Sequence, residues 1–186
     1  TILDLKTEGK KVFATLQKGK GIAQNALSQS RENATIVLFS GEFDKAMAAM
    51  IIANGAAAMG KKVSIFFTFW GLNALRKDKS VKVEKSAIES MFGTMMPRGA
   101  QSFPLSFMNM GGVGKAMIKK VMSAKNVESL PNLMKQAQEM GVEFIACTMS
   151  MDIMGIKEEE LIDHVSLAGV AAYLAESEDA GLTLFI

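Results

Sequence analysis

Two near-continuous apolar runs of strand length constrain this chain most: Ala34–Phe39 (ATIVLF) and Val63–Phe69 (VSIFFTF). A strand with one wet face alternates polar and apolar residues, and these two do not. Strands so uniformly apolar are expected to be buried on both faces, as in a parallel sheet covered by helices. Between them, Asp44 to Met59 is so rich in Ala and Met that it reads as a buried helix, with Gly60 as its stop. Strand, helix and second apolar strand make a βαβ unit.

Further along, the same grammar repeats. Val113 to Ala124 has a helical period. Ser129 reads as an N-cap, with Pro131 in the first turn, Leu133, Met134, Ala137 and Met140 on one face, and Gly141 as the stop. Val142 to Met149 (VEFIACTM) is a third strand. It is followed by a short helix near Met151, a helix over Lys157–Ile162, a short strand near Val165, a helix from Gly169 to Ala175 and a last strand, Leu182 to Ile186. Leu72 to Lys77 reads as a short helix and Ser80 to Lys85 as a charged surface turn. Met91 to Met110, with two prolines and five methionines, has no assignable period. Five strands with intervening helices predict a doubly wound, three-layer α/β/α domain with a five-stranded parallel sheet.

The first 33 residues differ. Ile2–Lys6 and Val12–Leu16 are short, partly alternating runs around Thr7-Glu8-Gly9-Lys10, the pattern of a β-hairpin. Residues 19–33 are polar, rich in Gly, Ser, Gln and Asn, and read as a linker. The expected organisation is a hairpin over 1–18, a linker over 19–33 and an α/β domain over 34–186. The chain opens on Thr1 and a lone hairpin is barely stable in water, so the hairpin is expected to be the tail of a preceding domain.

Composition narrows the function. Hydrophobic residues are 49% and charged residues 22%, the balance of a globular chain. The formal charge is only +2 and no basic stripe interleaves with aromatics, which argues against nucleic acid. The most apolar stretch, Ala46 to Met59, carries Asn54 and falls short of the roughly 20 residues that a spanning helix needs. Membrane contact is not expected. One cysteine allows no internal disulfide, and no leader-like segment opens the sequence, so a cytoplasmic protein with a reduced thiol is expected.

That thiol, Cys147, is the candidate reactive group. It stands near the carboxyl end of its strand, where ligands and chemistry gather in parallel sheets. A helix beginning just after it would aim amide dipoles at the sulfur and favour the thiolate; the plain alternative is a small buried hydrophobe. Ser40-Gly41-Glu42 forms the first strand-to-helix turn, able to present amides to an anion, with Asp44 in the first helical turn. The dinucleotide fingerprint is absent there, and Asp44 serves equally as a helix-start charge. Trp70 at the second strand tip and Ser150 beyond the third complete a candidate ligand set.

Gly111-Gly112-Val113-Gly114-Lys115 fails as a phosphate loop, with Asn109 in place of the opening glycine and Ala116 in place of Ser or Thr. His164, the only histidine, has no ligand spacing to Cys147. It reads as structural, with a thiol–imidazole contact across the strand tips as the alternative. Glu158-Glu159-Glu160 reads as a solvated helix face. No metal and no cofactor are expected. The methionines of Met91–Met110 suit a lid, a partner surface or a membrane-contacting patch, with irregular packing as the plain alternative.

The motifs in order resemble the DsrE/DsrF-like family. ATIVLFSG at Ala34 leads into an Asp and an alanine-rich helix ending Ala57-Ala58-Met59-Gly60. FFTFWGL at Phe66, MFGTMMPRGA at Met91 and ACTMSMDIMGIKEEEL at Ala146 are similar to its longer, peroxiredoxin-like-labelled branch. The resemblance implies a five-stranded parallel α/β/α fold, oligomers and sulfur relay through a cysteine persulfide, with Cys147 on the family's cysteine position. The hairpin is similar to the last two strands of a TusA-like carrier domain. The function expected is a persulfide carrier or sulfurtransferase: Cys147 takes sulfane sulfur from a donor protein and yields it to an acceptor thiol, in a homo-oligomer. The alternatives are a module binding a small anionic ligand or nucleotide, and an oligomeric accessory subunit without chemistry.

Overall fold

The structure, a computed structural model, describes residues 2–8, 11–16 and 33–186. The chain divides into two compact units, Thr1–Arg31 and Glu32–Ile186. In the first, β1 (Ile2–Glu8) and β2 (Lys11–Leu16) pair antiparallel, as the alternating runs predict. The stretch read as a linker lies, up to its last residue, outside the described residues.

The second unit is a five-stranded sheet in which every neighbouring pair is parallel. Its strands are β3 (Asn33–Leu38), β4 (Lys62–Phe67), β5 (Glu143–Cys147), β6 (Val165–Ala168) and β7 (Ala180–Phe185), in the order β6-β5-β4-β3-β7. Its helices are α1 (Phe43–Ala58), α2 (Ala87–Met95), α3 (Val113–Ala124), α4 (Leu130–Glu139), α5 (Thr148–Met154) and α6 (Val170–Glu178). The chain steps one way from β3 to β6, then crosses back to β7 beside β3.

Parallel crossovers are right-handed, so this reversal puts the last helix on the opposite face from the others. The packing agrees. Ile36, Leu38, Ile65, Phe67, Phe144 and Ala146 join one large core with α1, α4 and α5. Their alternating neighbours Val37, Phe66, Ile145 and Cys147 form a small second cluster, packed by Ala168 and by Tyr173 of α6. The apolar runs are therefore buried on both faces as expected, but very unequally. No residue of α6 is itself buried.

Local chemistry explains the element ends. Helix α1 seats Ala46, Ala49, Met50 and Ala53 against the sheet while Ile51 stays exposed. Gly60 takes φ +81° just past its end, where a side chain would be strained. Ser129 Oγ accepts from Asn132 N at 3.3 Å, the cap of α4. The segment read as a Leu72–Lys77 helix is a 3-10 turn over Phe69–Leu75. Gly71 makes it possible, donating to Phe39 O at 2.9 Å so closely that a Cβ there would lie 2.0 Å from Leu38 O. Gly71→Ala is expected to cost about 1–3 kcal/mol, read by urea unfolding, because backbone rather than a side chain must yield.

The Lys157–Ile162 helix shrinks to one 3-10 turn, Glu158–Glu160, and its charges are not all solvated. Glu160 is 1% exposed. It accepts from Arg76 Nη2 at 3.3 Å, Arg98 Nη2 at 3.0 Å and the Lys157 amide at 3.0 Å, and also pairs with Lys85. Reading the triple-Glu run as a solvated face is thus wrong for its last member, because three cations from distant segments converge on it. The Ser80–Lys85 turn ends in this cluster. So does Arg98, which anchors the Met-rich segment that had no readable period.

Candidate functional site

Cys147 ends β5 and is the N-cap residue of α5, which starts at Thr148. The strand-to-helix turn expected around the thiol is present, and the first-turn amides of α5 lack intrahelical acceptors. The thiol is not open, however. It is 2% exposed, enclosed by Val37, Phe66 and Ile145 beneath Ala168 and Tyr173. The Tyr173 ring lies 5.2 Å from that of Phe66. Helix α6 is therefore the cover of the thiol side of the sheet.

On the next strand, Thr68 follows the last residue of β4, whose Phe67 is in register with Ala146. Its Oγ1 hydrogen-bonds to Ser150 Oγ at 2.7 Å, a buried pair that ties the β4 tip to α5. Ser150 was a candidate for the ligand set; it is wholly buried and already partnered. Thr68 and Tyr173 were not singled out from sequence, since nothing in their spacing relates them to Cys147.

The other candidates gather elsewhere. β3 and β5 are separated by β4, so the Ser40–Gly41 turn stands about 10 Å from the Cys147 strand. It does lie at the switch point between β3 and β7, where doubly wound sheets bind ligands. Its Ser40 amide is occupied: Phe39 N and Ser40 N both donate to Ile186 O, at 2.8 and 3.2 Å. Ser40 Oγ donates to Glu42 Oε2 at 3.0 Å. Phe39 packs against Phe69 and Phe185 over the same edge. Gly41 approaches Trp70 so closely that a Cβ would lie 3.0 Å from the Trp70 Cβ, while the tryptophan remains 49% exposed.

Asp44 accepts from Ser106 N at 2.9 Å and Ser106 Oγ at 2.5 Å. Burial pushes its carboxyl up, but the Ser106 bonds outweigh this and hold it below the usual range. Asp44 therefore pins a loop to the start of α1. Its carboxylate oxygens are not aimed at a common site with Cys147.

His164 sits just before β6, whose Val165 is in register with Phe144, three residues before Cys147. That offset sets the imidazole about 13 Å from the thiol along the strands, at the other end of the sheet. The thiol–imidazole contact is not made. His164 instead lines, with Arg76, Lys135 and Gln138, a cavity of about 710 Å³ that Cys147 does not reach. Among the described residues no group of three or more His, Cys, Asp or Glu side chains converges as metal donors. No helix there is long and apolar enough to cross a membrane.

An all-parallel, doubly wound α/β domain with one cysteine at a strand-to-helix turn defines the class. The chain belongs to the DsrE/DsrF/DrsH-like family, which it matches over residues 30–185. It is 56% identical over 160 residues to the uncharacterized protein YrkE of Bacillus subtilis (strain 168), covering 86% of this chain and 100% of that one. It is 36% identical over 155 residues to the sulfur carrier protein DsrE2 of Allochromatium vinosum, covering 81% of this chain and 96% of the relative. The ychN protein of E. coli superposes with a TM-score of 0.48 at 10% identity, over 83% of this chain and 99% of that one.

Proposed function

We propose that this chain is a sulfur carrier whose load rides on Cys147 as a persulfide. The observation that supports this most is the thiol's place at the β5–α5 turn, in a chain that aligns along most of its length with a named sulfur carrier. The Cys147 thiolate attacks the outer sulfur of a donor persulfide. A new S–S bond forms on Cys147, the donor S–S bond breaks, and the donor leaves as a thiolate. An acceptor thiolate then attacks the same outer sulfur and returns Cys147 to its thiolate. No electrons are gained or lost overall. Residues 1–186 contain no second cysteine, so the acceptor is a thiol from outside them.

Burial dictates one further element of the proposal. A 2% exposed sulfur meets no donor until its cover moves. Helix α6, nine residues long with none of them buried, is the least anchored neighbour of Cys147. Sulfur transfer therefore requires α6 to lift from Phe66. Alkylation of the native chain at neutral pH should be slower than that of a free thiol yet complete without unfolding. Tyr173→Ala, which loosens the cover, should speed it severalfold. A Cys147 that reacts only as fast as the chain globally unfolds, in both versions, would exclude a carrier role. The binding-module alternative is weakened by the Ile186 carbonyl, which already takes the Phe39 and Ser40 amides at the switch point.

A further inference from the structure

Helix α3 is amphipathic, yet its apolar face is turned away from the protein. Met122 is its one apolar residue packed against the core, and only partly buried. At 100° per residue Val113 lies diametrically opposite Met122, and Ala124, Met117 and Val121 follow on the outward half. All four are exposed. Beside them Phe107 and Met108, exposed by 84% and 76%, share a groove of about 350 Å³ with Met117 and Ile118. An outward stripe of this size marks a contact surface.

Charge identifies what it meets. Between Glu89 and Glu128 the chain has no acidic residue, and α3 with its exit carries Lys115, Lys119, Lys120 and Lys125. Lys115 is engaged with Gln101 O, over the Phe43 ring. The ion pairs of the described residues include none to Lys119, Lys120 or Lys125. Lys120 falls within the apolar stripe; Lys119 and Lys125 flank Met122 on either side. Long lysine stems let apolar side chains sink while the ammonium groups stay at a charged boundary. Exposed Phe and Met beside a lysine-bearing amphipathic helix are the composition of an interfacial helix.

We infer that α3 and the adjoining Phe107–Met108 loop form a docking surface for a membrane bearing anionic lipids, lying on it without crossing. This departs from the expectation that membrane contact plays no part, and it requires no spanning segment. It is independent of the chemistry assigned to Cys147.

The test is co-sedimentation of the full chain with phosphatidylcholine vesicles, with and without phosphatidylglycerol. Partition should occur only with phosphatidylglycerol present and should weaken as salt rises. Lys119→Glu/Lys120→Glu and Met117→Ser/Val121→Ser should each lower it by about tenfold or more. These exposed substitutions should leave the thermal midpoint unchanged, and a variant that does melt early is replaced by Phe107→Ser, outside the helix. No partition into anionic vesicles, or equal partition by the variants, overturns the inference. So does a dimer, seen by light scattering, that Met117→Ser/Val121→Ser dissociates, because a second copy would then cover the face.

Discussion

Replacing Glu160 by alanine is expected to cost about 3–5 kcal/mol of folding stability, the range for breaking a buried ion pair from one side. Among the described residues Glu160 is the only carboxylate paired with Arg76 and Arg98. Without it Arg76, wholly buried, keeps Asn73 Oδ1 and the Gly93 carbonyl as its acceptors among the described residues. Among the described residues its Nε already lacks a partner. Three cations would then face one another with no counter-charge. By contrast, Glu158→Ala and Glu159→Ala, at exposed neighbours, should stay within about 0.5 kcal/mol. Urea unfolding of the three variants measures the difference; a Glu160→Ala cost below about 1 kcal/mol would contradict the reading.

The same cluster predicts a pH dependence. Burial pushes the Glu160 carboxyl up, but hydrogen bonds from Lys85 and the Lys157 amide, with the charges of Lys85 and Arg76, hold it below its ordinary 4.5. Its folded pKa is thus lower than its unfolded one. The stabilisation is complete above the unfolded value and is lost as pH falls through the folded value. Wild-type chain should lose stability on acidification below about pH 5 more steeply than Glu160→Gln, which has no such proton to take up.

Much of the fold was readable because its determinants are local. ATIVLF and VSIFFTF announce strands buried on two faces, and Ser129 with Pro131 and Gly141 marks both ends of α4. Cys147 before a helix start is read from a strand followed by a short helical run. What could not be read depends on contacts between distant segments. The Glu158-Glu159-Glu160 run is uniformly acidic, and only Arg76, Lys85 and Arg98, arriving from far upstream, distinguish its last member. The Met91–Met110 segment has no single period because it joins the end of α2, a 3-10 turn and loops, with Met96, Ala100, Phe103 and Leu105 buried at irregular spacing and Arg98 paired with Glu160. The outward stripe of α3 was visible as a helical period; which side it turned to was not.

The candidate site was legible in the same partial way. Position along β5 singles out Cys147 as the candidate. Its burial follows from the return crossover to β7, which lays α6 over that face of the sheet. Ser40, Gly41 and Trp70 do sit at strand tips, but the Ile186 carbonyl just past β7 already takes the Ser40 amide, a consequence of strand order that no local motif encodes.

Loading of Cys147 carries the second large effect, since it is all or none. Incubated with a small-molecule persulfide, the wild-type chain should take up one sulfur atom, and Cys147→Ser none. Serine fits the thiol's space, so the variant should remain folded; matching circular dichroism and melting curves establish that. The most direct measurement is intact-protein mass spectrometry on both chains, before and after a reductant. The account predicts a single added sulfur on the wild type, removed by the reductant and absent from Cys147→Ser. A wild-type chain that stays unmodified while its thiol still alkylates in the native state, or a serine variant that carries the same adduct, would contradict it.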